Sequence, residues 1–333
     1  MLQDFLPLLF LHRSPTDHRP PTIVMSAPFL IGAHMSVAGG LHCAIAHAVR
    51  HKFNCVQLFT HSPRVWKLPH VDEGAAATFR TARRNAGIAC VVVHASYLPN
   101  CASPHPALWA RSCAAIAHDV RSADALGADY FVMHPGSAGT ATPAGAGRRV
   151  AAALLQLHAA QPWRCTFLLE NTAGGGSLLG ASFDELHAIL RAVRHAAPAA
   201  RLGICLDTAH AHAAGMDLCS DAGLAGMCAA IAHTVGMDAL RLIHCNDTTV
   251  TRGARRDLHA HIGQGRIGAR GFQLLLAQPQ LRTLPWILET PKDTARSDTR
   301  NANLLRTWFA LSGSFLGSGF RENDFAAKPF CAK

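Results

Sequence analysis

The sequence predicts an α/β protein built as one closed (β/α)8 barrel, and three observations carry that expectation. Eight short apolar, β-rich runs recur along the chain, alanine-rich stretches of helical character separate them, and no segment between has the composition of a linker. Strands alternating with helices call for βαβ units and a parallel sheet. Eight such units over about 280 residues suit closure into a barrel with its active site at the C-terminal face of the strands. A doubly wound open sheet is the alternative.

In chain order, the runs 29–34, 55–59, 89–94, 130–134, 166–170, 202–207, 240–244 and 285–289 are read as strands, each short, apolar and rich in β-branched or aromatic residues. The stretches 41–51, 73–86, 106–126, 145–158, 183–195, 221–235 and 269–276 are read as the helices between them, and 302–311 as a last helix. The barrel domain spans 28–312. Residues 1–27, with a short apolar run followed by a proline-rich basic stretch, are read as an N-terminal extension: a targeting leader, a disordered arm, or a start placed upstream of Met25. Residues 313–333 are read as a peripheral tail.

Of 333 residues, 49% are hydrophobic and 16% charged, enough to build a sizeable core, yet no apolar run reaches the length of a membrane span. The net charge of +10 and pI of about 9.4 suit a polyanionic partner without demanding one. Eleven cysteines stand singly, without a Cys-x-x-Cys pair, and most sit in apolar runs. This fits free thiols packing as small hydrophobes in a reducing interior, not a disulfide framework or a thiolate zinc knuckle. Twenty-one histidines are the more informative excess, because histidine is the commonest metal ligand.

The strand runs end in His34, Phe59, His94, His134, Glu170, Asp207, His244 and Glu289. From the third onward every terminal residue is of a type that ligates divalent metals. In a barrel these ends converge on one face. His210 lies just past the sixth run, and Asp257-Leu258-His259 in the long loop after the seventh. A two-residue offset in extended chain puts the last pair on one side. Five histidines and four carboxylates exceed what one ion needs, so two or three ions with carboxylate bridging are expected. The N/O donor set suits zinc and admits Mn(II) or Fe(II). Three divalent ions against four carboxylates leave roughly +2, which attracts a phosphodiester.

The segments Gly32-Ala33-His34-Met35-Ser36, Phe131-Val132-Met133-His134-Pro135-Gly136-Ser137, Leu169-Glu170-Asn171-Thr172-Ala173-Gly174, Cys205-Leu206-Asp207-Thr208-Ala209-His210-Ala211-His212-Ala213-Ala214-Gly215 and His244-Cys245-Asn246-Asp247 closely resemble the endonuclease IV family of zinc-dependent abasic-site endonucleases. The resemblance runs from about Phe29 to Leu311, and all nine family metal positions carry the expected residue type. It implies a TIM-barrel endonuclease with three zinc ions: the first on His94, His134 and Glu170, the second sharing Glu170 with Asp207, His244 and Glu289, the third on His210, Asp257 and His259. By the same resemblance a metal-bound hydroxide cuts the phosphodiester 5′ to an abasic site, leaving a 3′-hydroxyl and a 5′-deoxyribose phosphate. Removal of 3′-phosphates and other 3′-blocking groups accompanies it, and Glu170 and Glu289 are the rate-critical carboxylates. The expected partner is double-stranded DNA containing abasic sites, bound by a monomer inside the cell: in the cytoplasm of a bacterium, in the nucleus or an organelle of a eukaryote.

The resemblance also brings Arg64, Tyr97 and Leu98 into the damaged duplex. Trp66 is read with them, against an alternative role as a packing side chain, and Arg252, Arg255 and Arg256 are read as phosphate contacts. Ala95 and Ser62-Pro63 depart from the family pattern around this lesion-facing region. His34, His212 and His261 are read as support for the ligands. Gly263-Gln264-Gly265-Arg266-Ile267-Gly268 matches a dinucleotide-loop pattern but ends a long loop, so its glycines are read as backbone needs, as are those of Gly174-Gly175-Gly176. Two other classes compete. A metal-dependent sugar isomerase or epimerase on a related barrel would need one ion and a proton-transfer pair, and the Asp257/His259 pair argues against it. A DNA-binding scaffold with a decayed metal site is argued against by nine intact ligand types.

Overall fold

Eight parallel strands close on themselves in the computed structural model, which describes residues 28–315, with side chains described to 312. They are β1 (Ile31–His34), β2 (Cys55–Leu58), β3 (Cys90–His94), β4 (Tyr130–Met133), β5 (Thr166–Glu170), β6 (Leu202–Asp207), β7 (Leu240–His244) and, after a short hairpin, β10 (Trp286–Leu288). β1 pairs with β2 on one side, Gly32 opposite Cys55, and with β10 on the other, Ile31 opposite Trp286. That second pairing closes the ring and excludes the open-sheet alternative. The expected extension 1–27 and, past Phe315, the expected tail lie outside the described residues. Among the described residues no helix is long and apolar enough to cross a membrane.

The helices follow from local chemistry. α1 is Cys43–Arg50, α2 Glu73–Ala86, α3 Pro106–Leu126, α4 Pro143–Ala160 and α5 Phe183–Ala196. Asp72, Thr142 and Ser182 cap α2, α4 and α5, accepting from the amides of Ala75, Gly145 and Glu185. Each such cap contributes about 1 kcal/mol. The fourth helix therefore begins at Pro143 rather than 145, since proline is well suited to the first helical position. Next come α6 (Thr208–Ala214), α7 (Asp221–His233), α8 (Gly268–Ala277), α9 (Pro279–Arg282) and α10 (Ser297–Phe315). The last helix starts five residues before the expected 302.

Two layers of core result. Inside the barrel, Cys55, Cys90, Val92, Val132, Leu168, Cys205, Leu242 and Ile287 pack as small and branched groups. A larger layer, including Phe79, Phe131, Phe167, Phe272 and Trp286, fills the space between barrel and helices. The ten cysteines among the described residues are free. Burial pushes the Cys205 thiol up to about 12, in keeping with a neutral packing group.

The long connection after β7 is more ordered than its composition suggests. β8 (Asp247–Thr248) and β9 (His259–Ala260) pair antiparallel, Thr248 opposite His259, and carry His259 back over the barrel mouth. The Asp247 carboxylate fixes the base of this hairpin by accepting from the amides of Gly265 at 2.9 Å and Ile267 at 3.0 Å. A Cβ at Gly265 would collide with the Thr248 carbonyl and the Asp247 carboxylate, so this glycine is a steric requirement. Gly265→Ala is expected to destabilise the protein by about 2 kcal/mol or more. Gly226→Ala, in open space on α7, should stabilise it by roughly 0.5–1 kcal/mol. Denaturant unfolding of the two variants checks both signs.

Candidate metal centre

Six strand ends converge at the barrel mouth as the alternation requires: His94, Glu170, Asp207 and His244 end β3, β5, β6 and β7, while His134 and Glu289 stand one residue past β4 and β10. Glu170 is the hub. Its Oε2 lies 3.2 Å from both His94 Nε2 and His134 Nε2, and its Oε1 lies 3.0 Å from His244 Nδ1 and 3.3 Å from His210 Nδ1. Asp257 reaches His210 Nε2 at 3.2 Å and His259 Nε2 at 3.1 Å. Three sets made of N and O donors alone, each with atoms within 4.8 Å of one another, meet at the mouth: His94/His134/Glu170, Glu170/Asp207/His244/Glu289 and Asp207/His210/His259. Glu170 and Asp207 each belong to two sets, which joins them into one cluster, with Asp257 at its exposed edge.

The local fold places His210 through a helix the sequence reading did not anticipate. Asp207 is the N-cap of α6, its Oδ1 accepting from the His210 amide at 2.7 Å, so one carboxylate both starts the helix and faces the cluster. The signal was present in Asp207 followed by Gly215, a capping acid and a left-handed terminator one short helix apart.

The donors fit divalent cations because of how their protons are assigned. His94 Nδ1 donates to the Ala95 carbonyl at 2.7 Å, His210 Nδ1 to that of Asn171 at 2.9 Å and His259 Nδ1 to that of Glu289 at 3.1 Å. A carbonyl oxygen only accepts, so each bonded nitrogen carries the proton and leaves the other free to act as a ligand. The buried Nε2 of His259 has no hydrogen bond, although Asp257 Oδ1 is near. Without ions, second protons must supply the missing positive charge. Burial opposes the charge on His210, but Asp207, Asp257 and Glu170 carry its pKa well above the histidine range. At His259 burial is likewise outweighed by Asp257 and Asp207, and the value rises to about 9. Burial would raise Glu170, yet His244 and His134 hold it well below the usual carboxylate range. An N/O donor set with two shared carboxylates is what zinc or a similar divalent ion takes.

Three amides missed by the sequence reading orient these groups. Gln57, fully buried on β2, donates to Glu289 Oε1 at 2.5 Å and to His34 Nδ1 at 3.1 Å, and its Oε1 accepts from His244 Nε2 at 2.8 Å. Its only signal was one amide in an apolar run. Asn246 donates to Asp207 Oδ2 at 2.6 Å and accepts from the Glu289 amide at 2.8 Å. Asn171 pairs with the Asp207 backbone at 2.7 and 3.1 Å. His34 sits beside Glu289 at 3.8 Å, in a supporting position. His212 and His261, expected to support the ligands, do not. On α6, two residues turn His212 about 200° from His210, and both its ring nitrogens are buried without a hydrogen bond. His261 falls past β9 and bonds Asp293 at 2.8 Å and Asn301 at 3.1 Å instead.

Comparison with known proteins identifies this arrangement. The model of the family described as "Xylose isomerase-like TIM barrel" matches residues 45–309. "Probable endonuclease 4" of Methanoculleus marisnigri is 40% identical over 278 residues, covering 83% of this chain and 98% of that protein. The chain belongs to the endonuclease IV family. As a member it is a DNA-repair nuclease. The crystal structure of endonuclease IV from Thermus thermophilus superposes with a TM-score of 0.74 at 35% identity, over 84% of this chain and 98% of that one. A D-tagatose 3-epimerase-like protein superposes with a TM-score of 0.65 over 86% and 99% of the two chains, but at 18% identity it shares the fold alone.

Around the mouth of this endonuclease IV fold the residues expected to meet DNA divide into free and engaged. Arg64 is exposed, Tyr97 is 62% exposed, and Leu98 is half-buried beside it. Tyr97 packs edge-on to Phe59 with ring centroids 5.1 Å apart, and its amide donates to the Pro63 carbonyl at 3.1 Å, joining the two loops. Trp66 is instead half-buried beneath the Arg111 guanidinium, 4.2 Å from its ring, so it packs on α3. Arg255 and Arg256 are exposed, whereas Arg252 reaches Asp217 at 3.3 Å. Lys292, not singled out from sequence, also lines the mouth.

Two outcomes follow from this electrostatic arrangement. In metal-free protein, a raised histidine stabilises the fold fully below its unfolded value and loses that contribution as pH rises through its folded value. The His259 contribution should therefore fade between about pH 6.5 and about 9. Zinc competes with the same protons, so thermal unfolding of chelated and zinc-loaded protein should show stabilisation by zinc growing across that window. Gln57→Leu keeps the volume but strips partners from Glu289 and His244, and should weaken metal binding by about 10–100-fold in a chelator competition titration.

Proposed function

We propose that the chain hydrolyses the phosphodiester on the 5′ side of an abasic nucleotide in double-stranded DNA, leaving a 3′-hydroxyl and a 5′-deoxyribose phosphate. The observation that carries this reading is the single cluster of N/O donors at the barrel mouth, joined through Glu170 and Asp207 and flanked by exposed Arg64 and Tyr97. Three zinc ions are the proposed complement, with Mn(II) as the alternative. His94, His134 and Glu170 would hold one, Glu170, Asp207, His244 and Glu289 a second, and His210, Asp257 and His259 a third. Such ions supply Lewis acidity toward the phosphoryl group and activate water.

The residues of the chain do the rest. Glu170 and Glu289 are the proposed rate-critical carboxylates. Gln57 and His34 fix Glu289, while Asn246 and Asn171 fix Asp207. Arg64, Tyr97 and Leu98, with the half-buried Trp66 beside them, would hold the kinked duplex open at the lesion, and Arg252, Arg255 and Arg256 would meet the backbone. The same centre would remove 3′-phosphates and other 3′-blocking groups, and one barrel acting as a monomer suffices. A DNA substrate implies action inside the cell.

Incubation with a duplex bearing one tetrahydrofuran abasic analogue tests this, because the analogue cannot undergo β-elimination and a cut requires hydrolysis. Zinc-replete protein should produce a nick ending in a 3′-hydroxyl, and Glu170→Ala should abolish it. Intact duplex after incubation with zinc-replete protein would overturn the reading.

A further inference from the structure

We propose a further divalent-cation site, separate from the barrel mouth, formed by His61, His118 and Asp119. His61 lies in the loop after β2, and His118 and Asp119 are neighbours on α3. One donor atom from each lies within 4.8 Å of the other two. His61 Nε2 is 2.8 Å and His118 Nδ1 3.3 Å from the same atom, Asp119 Oδ1. Ligand atoms about 2.0–2.1 Å from one tetrahedral zinc ion lie about 3.3 Å apart, so His118 already stands at ligand spacing and His61 would withdraw by about 0.5 Å. The side chains of His61 and Asp119 are 2% and 1% exposed, that of His118 13%.

The proton assignment is what points to a cation. His61 Nδ1 contacts the Ser62 carbonyl at 3.0 Å and His118 Nε2 the Pro69 carbonyl at 3.1 Å. Both carbonyls only accept, so those nitrogens carry the protons. The other nitrogen of each ring then aims a lone pair at one carboxylate oxygen. Without an ion, a second proton has to fill the gap between a ring and the Asp119 carboxylate, whereas one divalent ion satisfies all three groups at once. Backbone carbonyls fix His94, His210 and His259 in the mouth cluster by the same device. Two imidazoles and one carboxylate suit zinc or a similar borderline ion, with water completing the shell.

The site would brace the lesion-facing loops. Asp119 Oδ2 accepts from the Ser96 amide at 3.4 Å, next to Tyr97, and His61 is three residues before Arg64. An ion there ties α3 to both loops at once.

The test counts zinc on chelator-treated, refilled protein against a competing chromophoric chelator. His118→Gln keeps a donor for the Pro69 carbonyl and removes the Nδ1 ligand; His61→Asn keeps a donor for the Ser62 carbonyl and removes Nε2. Each variant should bind one equivalent less than wild type. The same difference should persist in a Glu170→Gln background, which disturbs only the mouth and so separates this site from the function proposed above. Equal stoichiometry in wild type and either folded variant overturns the site and leaves an imidazolium–carboxylate pair. Independently of any variant, the His118 Nδ1 resonance of wild type should shift when zinc is added, and an unmoved resonance overturns the proposal.

Discussion

A fully buried carboxylate at the centre of the barrel mouth is the constraint on which the rest depends. Glu170 is 0% exposed, and removing such a charge from water costs several kcal/mol even after relaxation. Compensation comes from His94, His134, His210 and His244, all within 3.0–3.3 Å, and from whatever ions replace their second protons. Those histidines arrive on β3, β4, α6 and β7. A closed parallel ring gathers those strand ends around one point, so the barrel's closure supplies the partners that the Glu170 charge needs.

The barrel interior beneath the cluster sharpens this dependence. Val92, Val132, Leu168, Leu242 and Ile287, with Cys55, Cys90 and Cys205, exclude water from below. In that low-dielectric setting each charge interaction is stronger and each unpaired group costlier. The cluster's field is therefore screened only from above, on the side where a phosphodiester would approach. Gln57 and Asn246 hold the Glu289 and Asp207 carboxylates in their orientation, and Asn171 holds the Asp207 backbone.

Most of this was legible in the sequence because it follows local periodicity. Apolar runs and helical stretches alternate at a pitch that needs no tertiary knowledge, and the metal-type residues stand at the run ends by position alone. What was not legible depends on partners distant in sequence. The two-residue spacing of His210 and His212 looks like that of Asp257 and His259, yet helix α6 parts the first pair while the extended chain keeps the second together. Gln57 takes its role from partners far along the chain, Glu289 232 residues away and His244 187 residues away. Trp66 packs against Arg111 of α3, a neighbour 45 residues on that its own segment does not announce.

The rim of the barrel mouth shows the same principle at lower density. Its loops are tied to one another before any substrate arrives: Tyr97 to Pro63, and the turn after β5 to the Arg255 backbone, so closely that a Cβ at Gly175 would lie 2.7 Å from the Arg255 carbonyl. Arg255 itself is held at φ +54, a left-handed conformation that a non-glycine residue adopts only under local constraint. Its amide bond to the Ala213 carbonyl at 2.9 Å supplies that constraint from the end of α6. The helix that places His210 in the cluster thus also positions an exposed arginine on the rim. Loops already ordered lose less conformational freedom on binding, so order in the His/carboxylate cluster and order in the proposed DNA-facing rim come from the same short helix.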